Sequence, residues 1–431
     1  MKKIIISNGF NKFHLANAAA EVHKHGLLAR LITGAYPTAR LQRLLSLPGL
    51  SGNPKVARFR DREAGLPGRM VRGLWLSEAA QKLAVGISRV GPTRLIGQRL
   101  DAWSYRAYGW LACNSIRRFA GDIQIYHYRA GFGHSSVRLA KSRGIFALCD
   151  HSIAHPGVLS CLVETGGKLP APTTEGSVTP LWRDILADID QADAVLVNSE
   201  FVKQTFLHQG WDASRIHVIT LGIDDEFFEH ILSRPPIDRT QSIRLLFAGS
   251  LEQRKGAHVL LDALRNLCDV PWHLDIVGPV SAVIARDYAD VLQDHRTTVV
   301  GIVRRRDLAR YMAGAEVFVF PSLAEGSARV VFEALASGCY VITTANSGSI
   351  VEDGVHGAIV PPGDSSALEA AIRSAIANRD SLAAVGTRNA ELIRHHYRQR
   401  DYGEALVDLY HRLLTERGEP GMTAVASKPA P

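Results

Sequence analysis

Short apolar runs alternate with segments of helical spacing along most of this chain. Ile4-Ile5-Ile6 sits in a run over 3–7. That run is shorter than the roughly 7 to 15 residues of a signal-peptide core and suits a buried first strand. Helical spacing follows over 17–25, with Gly26 as a stop, and a second strand pattern covers 29–33. The same alternation predicts strands over 123–127, 145–149, 194–198 and 216–220, and helices over 135–143, 181–191 and 200–209. A new series opens with a strand at 243–248 and continues through strands at 273–277, 298–300, 317–321 and 340–343. Its helices fall at 257–267, 306–313, 328–337 and 365–378. The strands are almost wholly apolar, as a parallel sheet covered on both faces requires. Strand and helix in alternation predict α/β architecture, with two doubly wound, Rossmann-like domains.

The pattern places the first domain at 1–222 and a linker at 223–242, where Pro235 and Pro236 stand among charges without a sustained period. The second domain covers 243–388. An amphipathic helix follows over 389–417, with Leu406, Leu409, Leu413 and Leu414 on one stripe. The tail, 418–431, is half Pro, Ala and Ser with few apolar anchors, so it is expected to be disordered.

Composition narrows the class. A length of 431 residues exceeds what one core usually serves, and 46% apolar with 21% charged residues is that of a folded globular protein. No run approaches the roughly 18 apolar residues of a membrane span. Cys113, Cys149, Cys161, Cys268 and Cys339 form no C-x-x-C pair or metal spacing, which reads as reduced thiols in a cytoplasmic protein. The net charge of +8 is unevenly spread. From Arg40 to Arg118 fifteen Lys or Arg face four acids, a surplus of +11. Leu41, Leu44, Leu45, Leu47, Met70, Leu74, Trp75, Leu76 and Trp103 are interleaved with these charges. That mixture suits peripheral contact with an anionic membrane, and an ordinary solvated helix face is the plainer alternative.

Two segments carry candidate chemistry. In Val317 to Gly338 a buried strand ends at Pro321, and a loop with Glu325 and Gly326 runs straight into a helix start at Ser327, Ala328 and Arg329. Ligands of open parallel sheets bind where such loops leave the strand ends. Helix-start amides, with the helix dipole behind them, can receive a phosphate there. Glu333, inside the helix, is placed to reach ribose hydroxyls, and Glu325 to approach a sugar. The second segment, Leu245 to Gly256, offers Gly249 and Ser250 in a turn and then Arg254 and Lys255, two cations suited to a diphosphate leaving group. No D-x-D pair stands at a strand end.

Taken together these segments resemble family 4 of the retaining glycosyltransferases, the group 1 glycosyltransferases of GT-B fold. Further landmarks are Ala192 to Glu200, Val218 to Asp224 and Asp353 to Pro362. The resemblance is good over about 190–365 and only outlined before that. It implies two Rossmann-like domains facing a cleft, with the terminal helix packing back on the first. It also implies that Glu325 contacts the donor sugar, Glu333 the nucleotide ribose, and Lys255 the phosphates. Where the family has an Arg after the glycine, this chain has Ser250, and Arg254 is the candidate to replace it. In the first domain the resemblance points to Gly9, after strand one, and to His151, near the sugar. A purely structural histidine is an equal reading of His151.

What this implies is transfer of a sugar from a UDP- or GDP-sugar, with retention and without a metal or other cofactor. The acceptor would be a hydroxyl of a lipid-linked or polysaccharide molecule in cell-surface glycan or lipopolysaccharide synthesis. The expected place is the cytoplasm, peripheral at the inner face of the membrane, and no nucleic-acid partner is expected. A GT-B nucleotide-sugar epimerase and a non-catalytic anion binder are the rivals; product analysis with donor alone separates the first.

Overall fold

The computed structural model describes residues 3–11, 13–47, 53–89, 91–119, 121–171, 180–234 and 241–418. Linker residues Pro235 and Pro236 and the tail beyond Gly418 lie outside the described residues. Among the described residues the first domain holds seven strands: β1 (Lys3–Gly9), β2 (Leu28–Thr33), β3 (Val71–Gly73), β4 (Ile123–Arg129), β5 (Phe146–Asp150), β6 (Ala194–Val197) and β7 (Ile216–Val218). They lie side by side in the order β3-β2-β1-β4-β5-β6-β7, all parallel. The second sheet has six parallel strands: β8 (Ile243–Ala248), β9 (Trp272–Val277), β10 (Thr297–Gly301), β11 (Val317–Phe320), β12 (Tyr340–Thr343) and β13 (Gly357–Ile359). Their order is β10-β9-β8-β11-β12-β13. Each sheet therefore reverses its winding once, between β1 and β4 and between β8 and β11. A crevice opens at the strand ends where winding reverses.

Successive side chains of a strand point to opposite faces, and in β1 both faces are buried. Ile5 joins Ile32, Tyr126, Tyr128 and Val195 in one core. Ile4 and Ile6 join Leu31, Ile125 and Leu148 in the other, which the last helix completes with Leu406, Tyr410 and Leu413. The second domain has its own core around Leu246, Phe318, Val331 and Ile342.

The amphipathic segment 389–417 is not one helix. One helix, Arg379–His396, stays on the second domain, where Asn389 donates to the carbonyl of Cys339 at 2.9 Å. Another, Gln399–Glu416, covers the first. The break falls at Tyr397 and Arg398, because Arg398 adopts extended backbone (φ −87°, ψ 165°) to pair with Ile223 of the outgoing crossing. Ile223 donates to the Tyr397 carbonyl at 2.8 Å, and Gln399 donates to the Ile223 carbonyl at 2.9 Å. The two passages between the domains are thus joined to each other.

The basic stretch folds as helices around the short strand β3, chiefly Trp75–Ser88 and Arg94–Phe119. Leu76 is 84% exposed there, Leu95 72% and Trp110 64%, so the pair leaves large apolar side chains at the surface. No helix among the described residues is long and apolar enough to cross a membrane.

Candidate functional site

The second sheet's crevice holds a cavity of about 560 Å³. Gly249, Ser250 and Lys255 line it from the β8 side, Glu325, Ser327, Ala328, Arg329 and Glu333 from the β11 side, and Ile302, Val303 and Arg305 from beyond β10. The two chemistry-bearing segments of the sequence therefore meet in one pocket. Close backbone approach makes this possible. Gly256 takes φ +72° against the Pro321 carbonyl, a place and a conformation that leave no room for a Cβ.

Lys255 lies beside Gly249, its Nζ 5.4 Å from the centre of the Phe320 ring and 3.6 Å from Glu325 Oε1. Arg254 does not line the cavity. It donates to Glu325 Oε1 at 2.7 Å, to the Ala324 carbonyl at 2.9 Å and to Glu252 at 3.1 Å. Its charge is directed to Glu325 and the loop, so Lys255 is the cation that stands beside Ser250.

The helix after β11 runs Arg329–Ala336. The Ala328 amide, expected to be open to a phosphate, already donates to the Ser347 carbonyl at 2.9 Å. The first helical amides, Arg329 and Val330, have no intrahelical acceptor by the geometry of a helix start. Gly326 packs so closely on the Ser152 carbonyl oxygen that a Cβ would overlap it, and its own carbonyl accepts from Ser199 Oγ. The loop of Glu325 is thereby seated against the first domain.

Glu333 is buried, and Arg305 donates to its Oε1 through Nε at 3.0 Å and Nη2 at 2.7 Å. The third nitrogen, Nη1, donates to Asp224 Oδ2 at 2.7 Å, and Arg329 reaches both oxygens of Asp224 at 3.0 Å. Burial pushes the Glu333 carboxyl above its ordinary value, with Arg305 and Arg329 opposing that shift. For Asp224 burial pushes upward too, but Arg305 and Arg329 outweigh it and hold the carboxyl below its usual range. Two arginines and two carboxylates form a closed, neutral network at one end of the cavity. Arg305 and Asp224 escaped the sequence reading. Their signal was faint: an arginine run just past β10, and an acid at the close of the Val218 to Asp224 landmark.

On the first domain, Gly9 is not open to the cavity. Its amide donates to the Tyr108 hydroxyl at 3.2 Å and its carbonyl accepts from Gly34 at 2.9 Å. His151 follows β5, with its ring buried, Nε2 3.5 Å from the Ala154 carbonyl and the ring edge-on to Phe206. Burial pulls its pKa down to about 4, so the ring is neutral at pH 7. His155, buried alongside, is lowered to about 3 for the same reason. The neighbouring Ser152 carbonyl meets Gly326, so His151 lies one residue from the interdomain contact. Among the described residues no cluster of His, Cys, Asp and Glu could hold a metal ion.

Comparison with known proteins agrees with this geometry. Residues 242–378 match the family model of Glycosyl transferases group 1. The chain is 28% identical over 192 residues to the amylovoran biosynthesis glycosyltransferase AmsK of Erwinia amylovora, covering 42% of this chain and 46% of that protein. It is 30% identical over 233 residues to a D-inositol 3-phosphate glycosyltransferase of Geodermatophilus obscurus, covering 47% and 49%. The chain thus spans about half the length of the curated relatives it matches. Among solved structures, Anabaena Alr3699/HepE in complex with UDP superposes with a TM-score of 0.58 at 15% identity, over 95% of this chain and 99% of that one. Residues 242–378 are thus similar to group 1 glycosyl transferases, and the chain has a GT-B fold of two Rossmann-like domains.

Proposed function

We propose that this chain transfers a sugar from a UDP- or GDP-sugar to a hydroxyl of a lipid-linked or polysaccharide acceptor in cell-surface glycan synthesis, with retention of configuration. The observation that carries this reading is the single cavity in which Lys255, a helix start and the Arg305–Glu333 pair converge. The diphosphate lies against Lys255 and the amides of Arg329 and Val330. Arg305 engages Oε1 of Glu333, and Oε2 receives a ribose hydroxyl. Glu325, held by Arg254, orients the sugar. As the sugar–phosphate bond breaks on the face where the acceptor hydroxyl approaches, the departing diphosphate takes the hydroxyl proton. Neutral His151 lies on the acceptor side. Preorganised cations and amides do the electrostatic work, and no metal enters the scheme. The relative named for amylovoran biosynthesis supports the polysaccharide assignment.

The acceptor site is placed at the inner face of the membrane. Exposed Leu76, Leu83, Leu95, Trp103 and Trp110 share the two long helices with Arg94, Arg99, Arg117 and Arg118, a pairing that suits anionic lipid. Flotation with vesicles tests it: preference for anionic over neutral vesicles is expected, and equal partition removes the membrane assignment. For the donor, titration calorimetry with UDP- and GDP-sugars is decisive. Glu333→Ala should weaken binding about 10- to 100-fold, the effect of losing hydrogen bonds to a buried carboxylate. Unchanged affinity rejects the ribose role.

A further inference from the structure

The crevice of the first sheet holds a cation that no side chain among the described residues hydrogen-bonds. Arg129 is the last residue of β4, at the point where winding reverses between β1 and β4. Its guanidinium carbon stands 3.8 Å from the centre of the Phe13 ring and 5.5 Å from that of Phe132. No hydrogen bond or ion pair to this guanidinium exists among the described residues. Three half-buried arginines elsewhere in the chain are differently placed, with Arg62 on Glu78 at 2.6 Å, Arg305 on Glu333 at 2.7 Å and Arg379 on Glu316 at 2.6 Å, whereas Arg30, over the Phe119 ring at 5.1 Å, resembles Arg129 but lies away from the strand-end crevice. The charge is also costly where it stands, since burial lowers the pKa of Arg129 below the ordinary arginine value.

The groups around it do not supply a partner. Tyr105, Tyr108 and Asp150 act on it electrostatically, and Arg129 in turn acts on His151. Asp150 is already engaged: its Oδ2 meets His14 Nε2 at 2.9 Å and lies 3.7 Å from His127 Nε2. Asp150 Oδ1 is buried without a partner, and it is the one acid that competes with an incoming anion. A guanidinium presents five N–H donors in a planar fork. The three oxygens of a phosphate ester use more of that fork than the two of a carboxylate. Phe13 and Phe132 make the surroundings water-poor, which strengthens such a pair.

We propose that Arg129, stacked on Phe13 at the first-domain crevice, receives a phosphate group carried by the acceptor. The proposal rests on the transferase reading above and gives it an acceptor class: a phosphorylated molecule, lipid-linked or soluble. The bond is positional, so Arg129 binds and orients and takes no proton.

The test keeps the two readings apart. The protein is saturated with UDP, which occupies the anion-binding groups of the second domain, and inorganic phosphate is titrated at constant ionic strength by calorimetry. Phosphate should bind, and Arg129→Gln should weaken it at least tenfold while the UDP dissociation constant stays within twofold. Arg129→Lys, which keeps the charge and loses the fork, should fall between. It also carries the comparison if Arg129→Gln does not melt cooperatively. Phosphate affinity unchanged in the variants, no phosphate binding at all, or acetate binding as well as phosphate would overturn the proposal. Failure of UDP to bind counts against the donor reading alone, and the Arg129 comparison is then made on the unliganded protein. Displacement of phosphate by a polyprenyl phosphate in micelles supports the site with a lipid-linked acceptor, and displacement by a hexose 6-phosphate supports it with a soluble one.

Discussion

The two sheets reverse their winding in the same way and fill the resulting crevices with different chemistry. Between β8 and β11 the crevice is lined by charges whose partners are at hand, Glu325 held by Arg254 from outside the cavity and Arg305 by Glu333 and Asp224. Between β1 and β4 stand Phe10, Tyr105, Tyr108 and Phe132, four of their pairs edge to face at 4.9 to 5.5 Å and Tyr105 tilted on Phe132 at 4.6 Å, around one cation that no carboxylate hydrogen-bonds among the described residues. A shared topology fixes where a ligand can sit, and the loops decide what it can be. One crevice has its arginines already paired with carboxylates, and the other holds an arginine that no carboxylate hydrogen-bonds among the described residues.

The strongest way to break that contrast is at Lys255. Lys255→Met should lower kcat/KM about 10²- to 10³-fold, the usual cost of one preorganised electrostatic contact to a developing charge. A loss below about threefold in steady-state assays would remove the diphosphate from this crevice. Next is an acid-side effect on the first-domain side. His151 has a folded pKa of about 4 against 6.5 in the open chain. Below pH 6.5 the unfolded chain therefore takes up a proton that the folded one refuses, and stability falls as pH drops from 6.5 to 4. One such group accounts for about 3 kcal/mol over that window. His155 adds a loss of the same sign, so urea unfolding of His151→Phe should show a shallower pH dependence, not a flat one. An unaltered slope would show that the imidazole is not kept neutral.

A smaller effect sharpens the comparison of paired with unpaired arginine. Arg305→Ala strands Glu333 and Asp224 and should cost about 2 kcal/mol, less than a fully buried pair because Arg305 is partly exposed. Arg129→Gln strands no hydrogen-bonded partner among the described residues and should cost less than about 1 kcal/mol. Equal losses in denaturant melts would mean that Arg129 has a counter-ion after all. The least of these effects is Arg254→Gln. It loosens Glu325 while leaving Lys255 in place and should change donor KM only about two- to fivefold, the scale of one partly exposed ion pair.

Local pattern carried much of this architecture. β8 and β11 fall where largely apolar runs predict strands, Lys255 and Glu325 stand on the segments that leave them, and Glu333 lies in the helix after β11. What remained hidden depends on contacts far along the chain. Of Arg304, Arg305 and Arg306, only Arg305 turns into the network. Arg304 pairs with Asp307 at the surface, a choice made by the phase of the helix start. Arg254 reads as a free cation until the fold brings Glu325 to it from 71 residues away. The break at Tyr397 and Arg398 has no Gly or Pro to announce it, because the extended backbone is imposed by Ile223 from the other crossing. β3 is three residues long and lacks any apolar alternation, so nothing local marks it as a strand.

The stitch between Ile223 and Arg398 also has a mechanical consequence. Two separate tethers would let the halves twist and slide, whereas two tethers fastened at one place act as a single pivot. Asp224 sits next to that pivot and holds Arg305 and Arg329, so the Glu333 end of the cavity is tied to the place about which the halves would turn.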